Sequence, residues 1–205
     1  MKKTILPLFL LLSCAGALLG QVKLPFKESF ENIGTTTTFN SNTTSINGLS
    51  EWSYQKSSRG RIRFKAGNGF YKTGSAAATF DVERNNNTST NYLILTLDLS
   101  NYTSSELELA FSYMHHGEES NNTDRIWVRG SSSDSWVEIY NWYSNRANSG
   151  TWKNVEGLDI DKTLSGASQT VSSTFQLRIG QTDNFIARST TRDDGVTFDD
   201  IEIKA

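Results

Sequence analysis

The chain has 205 residues, of which 36% are hydrophobic and 11% aromatic, and its formal net charge is −2. This length suits one domain with a substantial core, and the weak acidity argues against general nucleic-acid binding, which needs a strongly basic surface. The single cysteine, Cys14, excludes an intrachain disulfide and a cysteine-based zinc site.

The N-terminus has the pattern of a secretory signal peptide. Two lysines precede an apolar run at residues 5–12, which is too short to span a bilayer as a stable helix, and small residues follow. We therefore expect residues 1–20 to be removed, which leaves one domain over 21–205 without a transmembrane segment. A second interpretation is a lipobox around Cys14, which would acylate that cysteine and anchor the protein to a membrane.

The remaining chain has the pattern of many short strands. Apolar and polar side chains alternate with period 2, and the connections are rich in Ser, Thr, Asn and Gly. In one segment, Leu107, Leu109, Phe111 and Tyr113 share a face. In chain order, strands are predicted at 26–31, 51–56, 61–65, 77–82, 92–97, 106–113, 125–129, 136–142, 175–179 and 196–203.

These strands predict an all-β fold, a two-sheet antiparallel β-sandwich of jelly-roll type. Residues 92–97 are apolar on both faces and should form a central strand. Residues 34–48, which are low in complexity, are interpreted as a long surface loop. No helix is predicted, because no stretch of ten or more residues keeps an apolar stripe at helical spacing.

The order of these motifs resembles the MAM-like, cleaved-adhesin (choice-of-anchor J) jelly-roll modules of secreted Bacteroidetes-type proteins. The most specific segments are HGEES…DRIWVRGS, residues 116–131, and DGVTFDDIEI, residues 194–203, within a similarity that covers 26–203. The resemblance implies a non-catalytic extracellular sandwich, MAM- or concanavalin-like, that contacts glycan or cell-surface protein and often holds a structural calcium ion.

The resemblance also implies where calcium would bind, because related sandwiches set an early acidic residue against a late one. The matching residues are Glu31, Asp199 and Asp200, with Glu28 as a weaker addition. The apolar face of the last strand changes side at Asp199-Asp200, which independently predicts a β-bulge there. The alternative is a strand buried on both faces, with the aspartates hydrogen-bonded to backbone or paired with arginine.

Residues 115–120, HHGEES, contain two histidines and two carboxylates. Adjacent residues on a strand point to opposite faces, and the HExxH spacing is missing, so zinc catalysis is not indicated. We expect local ion pairs, or oxygens for a second cation. The acidic members are Glu118, Glu119 and Asp124, and the basic ones are Arg125 and Arg129.

A basic stripe is predicted on one strand face, since Arg59, Arg61, Arg63 and Lys65 recur at every second residue. Such a stripe fits an anionic partner such as an acidic polysaccharide. It equally fits the protection of an exposed sheet edge against pairing with another strand.

Aromatic side chains and one charged loop are the other candidates for ligand contact. Aromatic rings stack on sugars and act as binding hot spots, although core packing is the commoner place for tryptophan in a sandwich. The aromatic candidates are Trp127, Trp142, Tyr143 and Trp152. The loop candidates are Asp183, Asn184, Arg188 and Arg192. Asp193 and Asp194 are expected to be solvated in a turn before Gly195.

No motif of a known catalytic class is found, including GxSxG, the P-loop and GxGxxG. With the family resemblance, which alone implies the binding role, the sequence predicts a secreted, calcium-stabilised binding module for glycan or cell-surface protein. One alternative is a structural subunit of an extracellular assembly. Another is a glycan-active enzyme with an unrecognised carboxylate pair.

Overall fold

A computed structural model describes residues 21–117, 119–187 and 194–205. The strands are β1 (Phe26–Glu28), β2 (Thr38–Phe39), β3 (Trp52–Lys56), β4 (Gly60–Arg63), β5 (Ala78–Val82), β6 (Ser89–Leu97), β7 (Glu108–His115), β8 (Ile126–Arg129), β9 (Val137–Tyr140), β10 (Lys153–Asp159), β11 (Phe175–Asp183) and β12 (Val196–Lys204). A 3₁₀ turn covers Ser100–Tyr102, and a short helix, α1, covers Ile160–Ser165.

The strands form two antiparallel sheets that pack face to face. One has seven strands in the order β10-β7-β12-β5-β4-β2, with β1 also paired to β12. The other has five strands in the order β3-β6-β11-β8-β9. The predicted two-sheet all-β sandwich is confirmed, every predicted strand overlaps an observed one, and β6 lies inside its sheet as expected for a strand that is apolar on both faces.

Alternation along the strands directs one set of side chains into the space between the sheets. Phe198 of β12 is fully buried there, with ring centroids 5.8 Å from Phe80, 5.9 Å from Phe111, 5.7 Å from Tyr113 and 6.1 Å from Trp142. Large aromatic side chains bury the most apolar area per residue, so this cluster is a major source of the stability of the sandwich.

The predicted bulge is present in β12. The pairing of β12 with β7 shifts register between Asp199 and Glu202, and Asp200 has a left-handed backbone with φ of +51°. Ile201 and Ile203 then return to the core, 1% and 0% exposed. The extra residue lets both halves of the strand bury their apolar side chains although their parity differs.

Three elements were not anticipated: β2, β10 and α1. The expectation of no helix is wrong because α1 is too short to show a helical period, although its start carries a local signal. Asp159 caps it by accepting a 2.8 Å hydrogen bond from the Lys162 amide, and Ile160 and Leu164 are buried. The 34–48 segment is not a plain loop either, since it contains β2 and a backbone pair between Thr43 and Tyr54.

Candidate functional site

The outward face of the five-stranded sheet, here called the outer face, carries an unusual group of rings around one arginine. The Arg178 guanidinium carbon lies 4.7 Å from the ring centroid of Tyr92, 4.2 Å from Trp127 and 4.3 Å from Trp136. Gly180 makes the approach possible, since a Cβ there would lie 2.6 Å from the Trp127 ring. These four side chains, Arg178, Tyr92, Trp127 and Trp136, form the arginine–aromatic cluster.

A groove of about 880 Å³ runs along the same face and shares Tyr92 with the cluster. One wall is the 42–44 segment, which the Thr43–Tyr54 backbone pair and a 2.8 Å bond from the Lys56 amide to Asn42 Oδ1 hold against the sheet. The lining residues are Asn42, Thr43, Thr44, Ser53, Tyr54, Gln55, Lys56, Ser57, Thr90, Tyr92, Thr96 and Gln176.

Polar contacts fix the floor of the groove. The Gln176 side-chain amide donates to Thr96 Oγ1 at 2.9 Å, and its oxygen accepts from Arg129 Nε at 2.7 Å. The Arg129 guanidinium carbon in turn lies 4.3 Å from the Trp136 ring centroid. Gln176 is therefore held in one orientation between the groove and the cluster, so the groove presents hydroxyl, amide and ammonium groups beside an aromatic ring.

The predicted aromatic contacts have different outcomes. Trp127 is half-buried in the cluster, and Trp152 is half-buried near β10. The Tyr143 ring is covered by the Arg146 guanidinium at 3.6 Å. The expectation for Trp142 is wrong: it is 0% exposed and donates its indole N–H to the Gly180 carbonyl at 2.9 Å, so its ring is not available for stacking.

Sequence reasoning missed Tyr92 and Trp136 as members of this surface. The sequence held one signal for Tyr92: it alternates with the buried Leu93 along a strand that was predicted to be central, so its side chain points to the opposite face of the sheet. Parity does not reveal that Tyr92, Trp127 and Trp136 lie side by side, since they come from different parts of the chain.

The basic stripe is not a free cationic surface. Arg61 and Arg63 share a face as predicted, but both bind the fully buried Asp81, each with a guanidinium nitrogen 2.7 Å from the same carboxylate oxygen. Arg59 lies 3.7 Å from Glu83. The expectation of a basic stripe available to an anionic partner is wrong for the two central arginines, because a buried carboxylate already takes their charge. Lys65 is exposed.

The predicted calcium residues gather around one turn, residues 72–76, between β4 and β5. Glu31 accepts hydrogen bonds from two amides of this turn, both at 2.7 Å, and Asp199 accepts from two others at 2.8 and 3.1 Å. Burial raises the pKa of Asp199, while the backbone amides oppose that shift. The turn thus links the N-terminal segment to the last strand.

The other two predicted ligands make contacts of their own. Glu28 accepts from the Phe30 amide at 2.6 Å and from the Trp52 indole at 3.2 Å, and Asp200 accepts from the Thr73 hydroxyl at 2.5 Å. Over residues 21–117, 119–187 and 194–205, no three His, Cys, Asp or Glu side chains are grouped to hold a metal ion. As placed, the four carboxylates do not fit one shared calcium ion, and calcium here stays a prediction.

The two histidines lie on opposite faces of the chain. His115 Nε2 is 2.9 Å from the Ala147 carbonyl, and His116 Nε2 is 2.8 Å from Thr197 Oγ1. Burial lowers the pKa of His115, and its Nε2–H donates to the Ala147 carbonyl, which can only accept. This separation agrees with the argument that the pair cannot converge on one zinc ion.

The ion pairs expected beside these histidines are replaced by other contacts. Arg125 pairs with Glu138 at 3.3 Å, and Asp124 is fully buried, accepting the Asn121 amide at 2.6 Å and the Thr182 amide at 3.1 Å. Asp124 thus joins the backbone at Asn121 to the backbone of β11 at Thr182, and it is not a surface ion-pair partner. Glu118 lies outside the described residues.

The charged loop before β12 also differs from expectation. Asp183 and Asp194 are each 1% exposed, so the prediction that Asp194 is solvated is wrong. Gly195 has φ of +91°, and this turn directs the preceding carboxylate inward. Asn184 is half-buried. Arg188, Arg192 and Asp193 lie outside the described residues.

The chain was compared with known proteins. No family model matches the sequence, and no curated protein matches it. Among solved structures, it is similar to the tandem CBM22 domains of Paenibacillus barcinonensis Xyn10C, at 14% identity and a TM-score of 0.43, covering 88% of this chain and 49% of that one. The chain therefore spans about half of that tandem.

Two single domains match over almost their full length. The K3 cleaved adhesin domain of Lys-gingipain from Porphyromonas gingivalis is 13% identical with a TM-score of 0.46, covering 87% of this chain and 97% of that one. The family 11 carbohydrate-binding module from Clostridium thermocellum, in complex with a mixed-linked tetrasaccharide, is 11% identical with a TM-score of 0.43, covering 84% and 98%. The sandwich assignment itself rests on the sheet order described above.

Proposed function

We propose that this protein is a secreted, non-catalytic module that binds glycan in the groove on the outer face of its five-stranded sheet. The observation that carries the proposal is the groove itself, with the Tyr92 ring at one position and hydroxyl, amide and ammonium groups around it. We place the module with the MAM-like, cleaved-adhesin sandwiches that its motifs resemble.

The chemistry of the lining suits a sugar chain. Sugars present hydroxyl groups to amide and hydroxyl partners, and their apolar ring faces stack on aromatic side chains. Lys56 is the ionisable amine among the lining side chains, so the groove suits a neutral or weakly anionic glycan. The rigid sheet beneath keeps these groups in place before binding, which limits the entropy that binding costs.

The glycan proposal is tested with a glycan array of the purified protein, followed by calorimetry on the strongest ligand. Tyr92→Ala should weaken binding about tenfold or more, because it removes the aromatic ring on which a sugar would stack. A tenfold loss corresponds to roughly 1.4 kcal/mol of binding free energy. Gln55→Ala, which removes an exposed side chain of the groove, should weaken it without disturbing the fold. Tyr71→Ala is the matched control, because Tyr71 is also partly exposed but precedes the 72–76 turn outside the groove.

The result that would overturn the proposal is absence of glycan binding, or binding that is equally strong in both groove variants and wild type. Release of reducing sugar from any array ligand would favour the enzyme alternative. Concentration-dependent oligomers without a glycan signal would favour the structural-subunit alternative.

The proposed export is tested separately by the mass of the mature protein. Simple secretion predicts a chain that begins close to Gln21 and is recovered in the medium. A lipid adduct on Cys14 would support the anchored alternative. Within the described ranges, no helix is long and apolar enough to cross a bilayer.

A further inference from the structure

Two buried aspartates face each other at the end of the sandwich where Thr90 of the groove pairs with Thr182. Asp183 is the last residue of β11, Asp194 lies two residues before β12, and each is 1% exposed. Their carboxyl groups are within hydrogen-bonding reach of each other. Two carboxylates are both acceptors, however, so neither can donate to the other unless something positive lies between them.

The hydrogen bonds of this pair leave one oxygen of each carboxylate without a partner. One oxygen of Asp183 accepts the Phe185 amide at 2.9 Å, and one oxygen of Asp194 accepts the Gly195 amide at 3.0 Å. The second oxygen of each carboxylate is buried without a hydrogen-bond partner, and so is Oδ1 of the adjacent Asn184. A buried polar atom without a partner is costly, so three of them in neighbouring residues require an explanation.

Among the described residues, the surroundings add further oxygen atoms but no Lys or Arg side chain in contact with the pair. A cavity of about 220 Å³ adjoins Asp183 and Asn184, and its other lining residues are Thr88, Glu119, Asn121 and Thr182. The Glu119 carboxylate lies within hydrogen-bonding reach of Asp194, and the more distant Asp81 is already bound by Arg61 and Arg63. In the described ranges, no Lys or Arg nitrogen lies within 4.0 Å of the oxygens of Asp183 or Asp194.

Two occupants would relieve the repulsion between the carboxylates: a shared proton or a metal cation. Burial, and then the neighbouring carboxyl group, raise the pKa of Asp183 to about 9, and burial raises that of Asp194 to about 6. A proton between the two aspartates would leave the Asn184 oxygen unpartnered. A cation takes oxygen ligands, and the carboxylate and amide oxygens left unpartnered here are of the kinds that calcium prefers.

We propose that Asp183, Asp194 and Asn184 bind a calcium ion through their three unpartnered oxygens. The oxygen-lined cavity leaves room for water or hydroxyl ligands, and calcium accepts the irregular, six- to eight-fold oxygen coordination that such a site offers. The ion neutralises the buried pair and fastens the end of β11 to the start of β12. The site is separate from Glu31 and Asp199, which contact the 72–76 turn.

The test measures calcium bound per chain by equilibrium dialysis of the full protein, together with thermal melting in calcium chloride and in EDTA. Calcium at about 100 times its dissociation constant should raise the melting midpoint by roughly 5–10 °C. Asp183→Asn and Asp194→Asn should each reduce the bound calcium by one ion per chain and abolish the rise of the melting midpoint that this ion causes. Glu156→Gln, which removes an exposed charge on β10, should keep both.

A milder variant covers the case in which the aspartate variants fail to fold. Asn184→Ala removes the unpartnered amide oxygen and keeps both carboxylates, so it should lower calcium affinity about tenfold or more. Equal calcium stoichiometry and affinity in wild type and Asn184→Ala would overturn the proposal. It would also be overturned if wild type binds no calcium; a midpoint of Asp183→Asn at or above that of wild type would then identify the occupant as a shared proton.

Discussion

Asp81 shows how one buried carboxylate organises its neighbourhood. It is 0% exposed, yet it accepts from Arg61 Nε at 2.8 Å, from Arg63 at 2.7 Å and from the Ala187 amide at 3.2 Å. Two guanidinium groups and a backbone amide thus balance its negative charge. The contacts join β4 and β5 to the segment before β12, which is why arginines that resemble a surface stripe in sequence are structural.

We expect Asp81→Asn to destabilise the protein by about 3–5 kcal/mol, because it leaves two partly buried guanidinium groups without a carboxylate. Urea unfolding measures the loss. Glu83→Gln is the matched control: it disrupts the more exposed pair with Arg59 at 3.7 Å and should cost about 0–1 kcal/mol. Equal losses in the two variants would contradict the structural role of Asp81.

His115 should make the protein sensitive to acid. Burial lowers its pKa below the usual 6.5, so the unfolded chain takes up a proton more readily than the folded chain as pH falls. Its contribution to stability is complete above about pH 6.5 and is lost as pH falls from there through the lowered pKa. In His115→Gln, which keeps a donor for Ala147, unfolding midpoints should fall less over that window than in wild type. Parallel pH profiles would exclude this role.

At the scale of an element, the bulge in β12 divides the strand into two halves that pair with different neighbours. Its first half pairs with β5 and its second half with β1, while β7 runs along the other side. The left-handed residue at the change of face is Asp200, a residue type that tolerates this conformation better than branched residues do. The Asp200 carboxylate also accepts the Thr73 hydroxyl, which joins the bulge to the 72–76 turn.

Asp200→Val should therefore cost about 1–3 kcal/mol, since a β-branched residue is strained at positive φ and cannot accept that bond. Asp200→Asn tolerates the same backbone and retains an acceptor, so it should cost less than about 1 kcal/mol. Urea unfolding of both variants decides the point, and equal stability would contradict the backbone explanation.

At the scale of the whole molecule, carboxylates hold one turn within the seven-stranded sheet and both ends of one connection between the two sheets. Glu31 and Asp199 clamp the 72–76 turn, while Asp183 and Asp194 lie at the two ends of the connection from β11 to β12. The sequence predicts calcium at the first pair, and our proposal assigns calcium to the second. Calcium at the first pair and calcium at the second pair predict different effects of substitutions on the melting midpoint of the domain.

Melting in calcium and in EDTA separates them. If calcium binds at the first pair, Asp199→Asn should remove a calcium-dependent rise in midpoint that Asp183→Asn leaves intact. If the hydrogen bonds of the 72–76 turn suffice without an ion, Asp199→Asn should lower the midpoint equally in calcium and EDTA. A calcium response that neither variant changes would exclude both positions.

The sequence by itself determined the sandwich and the bulge, because both follow from a local property, the alternation of side chains along an extended backbone. The parity change between Phe198 and Ile201 was enough to place the bulge. The sequence did not predict the helix at Ile160–Ser165, because six residues are too few to show a helical repeat of apolar side chains.

Only the tertiary structure decided which side chains become neighbours. Tyr92, Trp127 and Arg178 meet because β6, β11 and β8 are adjacent in one sheet, and strand order is set by pairing between distant segments rather than by local pattern. The same reason explains Asp194: its sequence, before a glycine, is typical of a solvated turn, and the packing of β11 against its neighbours buries it beside Asp183.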